Sequence, residues 1–171
     1  MSLKKLSRGF TLIEMIIVLG ILGILAVVLI VAVNPIDQLR KSNDADRKSD
    51  LSQMQRALEL YYQDNGAYPP SSGDFKLFIG STTLAWGSAW LPYIKALPKD
   101  PTASRTYAYY VPASGNGQTY YLYASLERGG KDSQACNSGN ACTTIGGSGF
   151  PTASACGGTC NYAISSPNVT P

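Results

Sequence analysis

Twenty-four consecutive residues, Phe10 to Val33, carry a single charged side chain, Glu14. As a helix this run would be about 36 Å long at ~1.5 Å per residue. That is enough to cross a hydrocarbon core of roughly 30 Å with some tilt. Gly20 and Gly23 lie inside it, and membrane helices tolerate glycine. Asn34-Pro35 closes the run, and a proline in an otherwise helical pattern kinks it. From Ile36 to Gln63 there is no further Pro or Gly, and Leu51, Met54, Leu58 and Tyr61 fall at spacings of 3, 4 and 3, flanked by Ala57 and Tyr62. That spacing predicts one apolar stripe on a helix. Asn65-Gly66 supplies a C-cap signal and Pro69-Pro70 a stop. The pattern therefore predicts one long helix, bent near Pro35, with an apolar first half and an amphipathic second half.

Beyond residue 66 the period changes. Residues 70 to 105 read as irregular, with Phe75 to Ile79, Trp86, Trp90, Leu91 and Tyr93 as packing groups. Thr106 to Val111 is rich in β-formers, and in Thr119 to Leu126 the residues Tyr120, Leu122, Ala124 and Leu126 alternate onto one face. Asn116-Gly117, in the connection from Pro112 to Gln118, is a turn signal. The apolar face of this hairpin is the natural cover for Leu51, Met54 and Leu58, because a hairpin becomes stable against a helix. Its many tyrosines predict packing rather than ligand binding. From Gly129 onward Gly, Ser, Thr and Asn dominate, and such a segment buries too little to order itself by packing alone. Asn161 to Ser165 is the one candidate strand within it.

Charge narrows the function. Three of the 14 Lys and Arg, namely Lys4, Lys5 and Arg8, precede Gly9, leaving eleven cations against eleven acids in the remainder. The basic excess belongs to a short leader and not to a domain surface, so no nucleic-acid partner is expected. The leader plus apolar run also differs from a secretory signal peptide, whose apolar part is about 7–15 residues and ends at a small-residue cleavage site. Counting loop cations does not fix an orientation, since Arg40, Lys41, Arg47 and Lys48 lie on the far side of the run. The mixed charges from Asp37 to Asp50 (Asp37, Arg40, Lys41, Asp44, Asp46, Arg47, Lys48 and Asp50) read as a solvated helix face, with contacts between subunits as the alternative. A carboxylate among apolar residues costs about 2.5–3.5 kcal/mol at the middle of a membrane helix. Glu14 is one turn from the start, so it is either a headgroup-level residue or one that needs a cationic partner.

The chain has no His, which removes the commonest general base and metal ligand. There is no nucleophile with an adjacent base, no phosphate loop and no paired carboxylates at a plausible site, so a membrane-anchored enzyme is not expected. Cys136, Cys142, Cys156 and Cys160 all fall in the polar tail. In an exported domain they imply two disulfides. Three connectivities are possible, and Cys136–Cys142 with Cys156–Cys160 is favoured because both close short loops. A zinc site lacks support, since no pair has Cys-x-x-Cys spacing.

Ser7-Arg8-Gly9-Phe10-Thr11-Leu12-Ile13-Glu14 resembles the class III signal of type IV prepilins and type II secretion pseudopilins. The resemblance implies that a prepilin peptidase cuts between Gly9 and Phe10 on the cytoplasmic side and N-methylates Phe10. It also implies that Glu14 pairs with the N-terminus of a neighbouring subunit during assembly. Asp64-Asn65-Gly66-Ala67-Tyr68-Pro69 looks like the segment that ends the long helix in pseudopilins and minor pilins. Leu97-Pro98-Lys99-Asp100-Pro101 resembles the step before their first sheet strand. A C-terminal disulfide loop agrees in kind with pilins, though a second bridge goes beyond the usual one. Major pseudopilins also carry an acidic calcium loop after the sheet. Here only Glu127 and Asp132 fall in that region, and calcium needs six or more oxygens, so no metal or cofactor is expected.

The sequence thus predicts an α+β chain. Residues 1–9 form a leader, 10–33 a transmembrane and filament-core helix, and 34–65 an amphipathic half-helix. Residues 66–171 form a globular head with a small antiparallel sheet and a Cys-rich tail at 129–171. The resemblance implies a prepilin assembled into a pilus filament, or alternatively a secretion pseudopilin. The partners it implies are further copies of the chain, the prepilin peptidase, and an inner-membrane platform with its ATPase. It places the chain in the cytoplasmic membrane as a single-pass protein before assembly, and in an extracellular or periplasmic filament afterwards.

Overall fold

A computed structural model describes residues 9–142 and 155–169. Most of the leader, including Lys4, Lys5 and Arg8, and the tail segment 143–154 lie outside the described residues. The chain divides into two compact units, Met1–Leu39 and Arg40–Pro171.

The predicted long helix is present as two helical segments, α1 (Leu12–Val33) and α2 (Pro35–Asn65). Between them Asn34 takes a left-handed conformation, φ 45°, which asparagine tolerates better than most residues. Its carbonyl accepts from the Asp37 and Gln38 amides at 3.1 and 3.3 Å, so the residue that ends α1 also opens α2. Pro35 takes the first helical position, where its missing N–H leaves nothing unsatisfied. Gly66, with φ 71°, ends α2 and donates its N–H to the Tyr62 carbonyl at 2.8 Å. Only a residue at ease in the left-handed region closes a helix this way.

The stripe on α2 is buried as its spacing requires. Leu51, Met54 and Leu58 are fully covered, and Tyr61 and Tyr62 pack partly buried against the same core. Their cover is a three-stranded antiparallel sheet of order β3-β4-β5, built from β3 (Ala108–Tyr110), β4 (Tyr121–Ala124) and β5 (Tyr162–Ser165). A two-stranded hairpin, β1 (Phe78–Ile79) with β2 (Thr82–Thr83), lies in the stretch read as irregular. Leu77 and Trp90 of that stretch are buried, but Leu91, expected to pack, is 72 % exposed. It occupies the turn between the bridged residues Trp90 and Ile94, whose pairing points the turn outward.

Four tyrosines of the strand region, Tyr107, Tyr109, Tyr120 and Tyr123, are fully buried. Three of them satisfy their hydroxyls within the fold, as buried tyrosines usually do. Tyr107 donates to Asp50 at 2.6 Å, Tyr109 to the Pro69 carbonyl at 2.7 Å and Tyr120 to Glu59 at 3.3 Å. Burial, and then the Asp50 carboxylate, push the Tyr107 hydroxyl well above its ordinary range.

The other face of the sheet is also covered. Ala108, Tyr123 and Ala163 form a second core with Cys142, Cys156 and Cys160. The disulfides are Cys136–Cys142 and Cys156–Cys160. The tail therefore orders itself by laying cystine sulfur on a tyrosine face. Backbone bonds fix it there: Thr106 N–H to Cys156 O and Cys142 N–H to Cys160 O, both 3.0 Å. Asn161 extends the ladder with its side chain, accepting from the Leu126 amide at 2.7 Å and donating to the Leu126 carbonyl at 3.1 Å. Gly157 (φ 67°) is pressed so closely to the Ser104 carbonyl that a Cβ would collide with it.

Each bridge closes a short loop, with sequence separations of 6 and 4. The loop-entropy relation gives each a stabilisation of ~2 kcal/mol. Reduction of the full chain in neutral detergent should raise the intact mass by four hydrogens and lower the urea midpoint accordingly. An unchanged midpoint would show that the tail does not depend on its bridges.

Candidate functional site

The α1 surface is the first site. None of its residues is buried, and its large side chains range from 45 % exposed at Val18 to 77 % at Leu12. The apolar side chains point in every direction around the axis, so no face of this helix is suited to water. It is long and apolar enough to cross a membrane. Gly9 and Phe10 precede the helix in exposed, irregular backbone, with Phe10 77 % exposed. An accessible, unstructured peptide bond is what a processing enzyme requires.

Thr11 is the N-cap of α1. Its Oγ1 accepts from the Glu14 amide at 3.3 Å, and Glu14 Oε2 accepts from the Thr11 amide at 2.8 Å and from its hydroxyl at 2.7 Å. This is a capping box, in which each residue satisfies the other's open donor. Within one chain the Glu14 carboxylate is therefore not without a partner. The Thr11-x-x-Glu14 spacing carries that signal, which the sequence reading attributed only to a headgroup position or a neighbouring subunit.

The second site lies on α2, where the solvated-face reading needs correction. Asp44 is 4 % exposed and Arg47 is wholly buried, while Arg40, Lys41 and Asp46 are exposed. Arg47 gives Asp100 two parallel bonds, Nε to Oδ2 at 2.8 Å and Nη2 to Oδ1 at 2.9 Å. It also reaches Asp44 at 2.9 Å, Thr102 Oγ1 at 3.0 Å and Glu127 at 3.1 Å. Three carboxylates around one guanidinium leave negative charge over, and backbone N–H groups take it up. Asp44 accepts from the Glu127 and Arg128 amides, and Asp100 from the Thr102 amide, all at 2.8 Å. A buried charge persists only with such complete pairing. Burial works against the arginine's charge, but its hydrogen bonds, Asp100 first, win and raise its pKa above an already high ordinary value. Asp44, Arg47, Leu51, Met54 and Leu58 continue one 3-4-3-4 spacing, which is the signal by which the buried pair was readable.

Lys48, one residue on, binds Asp132 Oδ2 at 2.6 Å and Gln134 Oε1 at 2.9 Å. With Asp44 it holds segment 127–134 against α2 and leaves a hollow of about 460 Å³ lined by Lys41, Lys48, Arg128 and Lys131 together with Asp44 and Asp132. The carboxylates considered for calcium, Glu127 and Asp132, are thus engaged by Arg47 and Lys48. Among the described residues, no group of three His, Cys, Asp or Glu is placed to hold a metal ion.

A family model described as Type II secretion system (T2SS), protein G matches residues 34–144. A second, described as Prokaryotic N-terminal methylation motif, matches residues 4–30. No curated protein and no solved structure matches the chain.

Two outcomes test the ionic cluster. Arg47→Ala strands three carboxylates and should cost about 3–5 kcal/mol. Arg47→Lys should recover only part, because an ammonium cannot form the parallel pair with Asp100. Urea unfolding of the full chain in detergent, read by the fluorescence of Trp86 and Trp90, measures both, and midpoints equal to the parent's would refute the assignment. The second concerns pH. Burial tends to raise Glu127 and Asp132, but bonds from Asn43 and Arg47 to the former and from Lys48 to the latter hold both below their ordinary values of 4.5 and 3.8. A lowered folded pKa gives stability that is present above the ordinary value and lost as pH falls through the folded one. Asp50, raised chiefly by burial, works in the opposite sense. Stability should therefore fall below about pH 4.5, and Glu127→Gln should fall less steeply than the parent over the same range.

Proposed function

The chain belongs to the family of type II secretion system protein G, and on that premise we propose that it is a membrane-stored subunit of a type IV pilin-like filament. Its two matching families are structural pilin and pseudopilin subunits, which assemble into filaments after processing by a prepilin peptidase. The observation that carries the proposal is α1, a helix that is apolar all round and has no core of its own. In lipid its backbone is satisfied internally and its surface is solvated by acyl chains. To leave the bilayer it must exchange those chains for other apolar surface, and copies of itself supply that.

In this reading the peptidase cuts between Gly9 and Phe10 and methylates the new N-terminus of Phe10. Glu14 then exchanges its bond to Thr11 for the amino group of a neighbouring Phe10, which fixes register more than it adds stability. The head stays on the outer side of the membrane, where its two disulfides persist, and the chain has no catalytic role. A secretion pseudopilus is the second reading, favoured by the protein G match over residues 34–144.

Replacing Gly9 by Leu should leave the precursor at full length on a gel; normal shortening would remove the cleavage assignment. Glu14→Gln keeps a capping-box acceptor while losing the charge, and Glu14→Ala loses both. Both variants should remain in the membrane and fail to form filaments, whereas assembly of Glu14→Gln at the parent yield would reduce Glu14 to a cap. Deletion of the chain should abolish surface fibres in the first reading and exoprotein secretion in the second.

A further inference from the structure

We propose that Cys136 is a site of thiol–disulfide exchange, where a small thiol of the glutathione class opens the Cys136–Cys142 bridge while Cys156–Cys160 stays closed. The two bridges differ first in access. Cys142, Cys156 and Cys160 are 3, 0 and 1 % exposed, whereas Cys136 is half-buried. A thiolate has to reach the sulfur that it attacks, so an accessible cystine exchanges and an enclosed one is inert. Cys156 and Cys160 lie in the second core with Ala108, Tyr123 and Ala163. Their loop is also tied to the start of the sheet region by the bond from Thr106 N–H to Cys156 O.

They differ also in backbone. Between Cys136 and Cys142 the chain passes through three successive left-handed residues, Asn137 (φ 45°), Ser138 (φ 57°) and Gly139 (φ 94°). Asparagine and glycine accept that region, but serine has a Cβ and no such tolerance. Backbone of this kind persists only where its surroundings over-determine it. Two constraints do so here: the bridge itself, and the packing of Gly139 on the Gly129 and Gly130 backbone, where a Cβ would collide. Between Cys156 and Cys160 only Gly157 is left-handed, and it adopts that conformation at no steric cost. Opening therefore relieves the 136–142 loop and gains the other loop nothing. Strained, exposed bridges are the reducible ones.

In the first step the incoming thiolate forms a bond to Cys136 Sγ, and the bond between Cys136 and Cys142 breaks. Its electron pair leaves on Cys142 Sγ, which takes a proton from water. Cys142 then remains in the core as a neutral thiol, which packs like a small apolar side chain. A second thiolate attacks the added sulfur and releases Cys136. In sum two thiols are oxidised to one disulfide, and the bridge is reduced to two thiols. The ends of the loop stay tied to the last strand throughout, by Cys136 N–H to Asn161 O at 2.8 Å and Cys142 N–H to Cys160 O at 3.0 Å. The Arg47 cluster and the packing of α2 on the sheet are not part of the loop, so the head keeps its fold while this bridge is open.

The test uses the full oxidised chain in neutral detergent, equilibrated with rising ratios of reduced to oxidised glutathione. Samples are quenched in acid, alkylated and mapped by proteolysis and mass spectrometry. Cys136–Cys142 should open at a ratio about ten-fold lower than Cys156–Cys160, equivalent to ~1.4 kcal/mol. The glutathione adduct should sit on Cys136, with Cys142 recovered as an alkylated thiol. The fluorescence of Trp86 and Trp90 should not change at that point. The double variant Cys136→Ala/Cys142→Ala should take up no glutathione at ratios that modify the parent. Simultaneous opening of the two bridges, earlier opening of Cys156–Cys160, or an adduct found first on Cys142 would each overturn the proposal. So would unfolding that accompanies the first opening, or uptake by the double variant at the same ratio.

Discussion

Arg47 is the charge around which the head is organised. It is fully buried, yet three carboxylates from three segments converge on it: Asp44 from α2, Asp100 from the turn before β3, and Glu127 from the segment after β4. Without them the guanidinium would be an uncompensated charge in a low-dielectric interior. With them, the helix, the Leu97-Pro98-Lys99-Asp100-Pro101 turn and the sheet cannot shift relative to one another without breaking several charge-assisted bonds. Hydrophobic contact between Leu51, Met54, Leu58 and the sheet supplies area but tolerates sliding. The bidentate Arg47–Asp100 pair supplies direction and register.

That division of labour suits the passage from membrane to filament proposed above. In the proposed reading the α1 surface is satisfied first by lipid and then by other apolar surface, and none of its residues is buried to resist the exchange. The head needs the opposite property. Its sheet is closed on one face by α2 and on the other by a tail that two disulfides and Asn161 hold in place. Its buried charges, Asp44, Arg47 and Asp100, are paired within the head, so they do not depend on the surrounding medium.

Much of this was legible in the residues themselves. Hydrophobic periodicity is local information, so the apolar run, the stripe from Leu51 to Tyr61, the alternation in Thr119 to Leu126 and a candidate strand at Asn161 to Ser165 could be read directly. Asn34-Pro35 and Asn65-Gly66 marked the helix ends because their backbone preferences are intrinsic. Burial of a charge is different, since it depends on partners distant in sequence. Arg47 meets Asp100 at a separation of 53 residues and Glu127 at 80, so its place on the stripe gave position without revealing what would neutralise it. Likewise the tail's composition showed that it could not fold by itself. Only the packed structure determined that its cystines would lie on the Tyr123 face of the sheet, because that surface exists only once β3, β4 and β5 have paired.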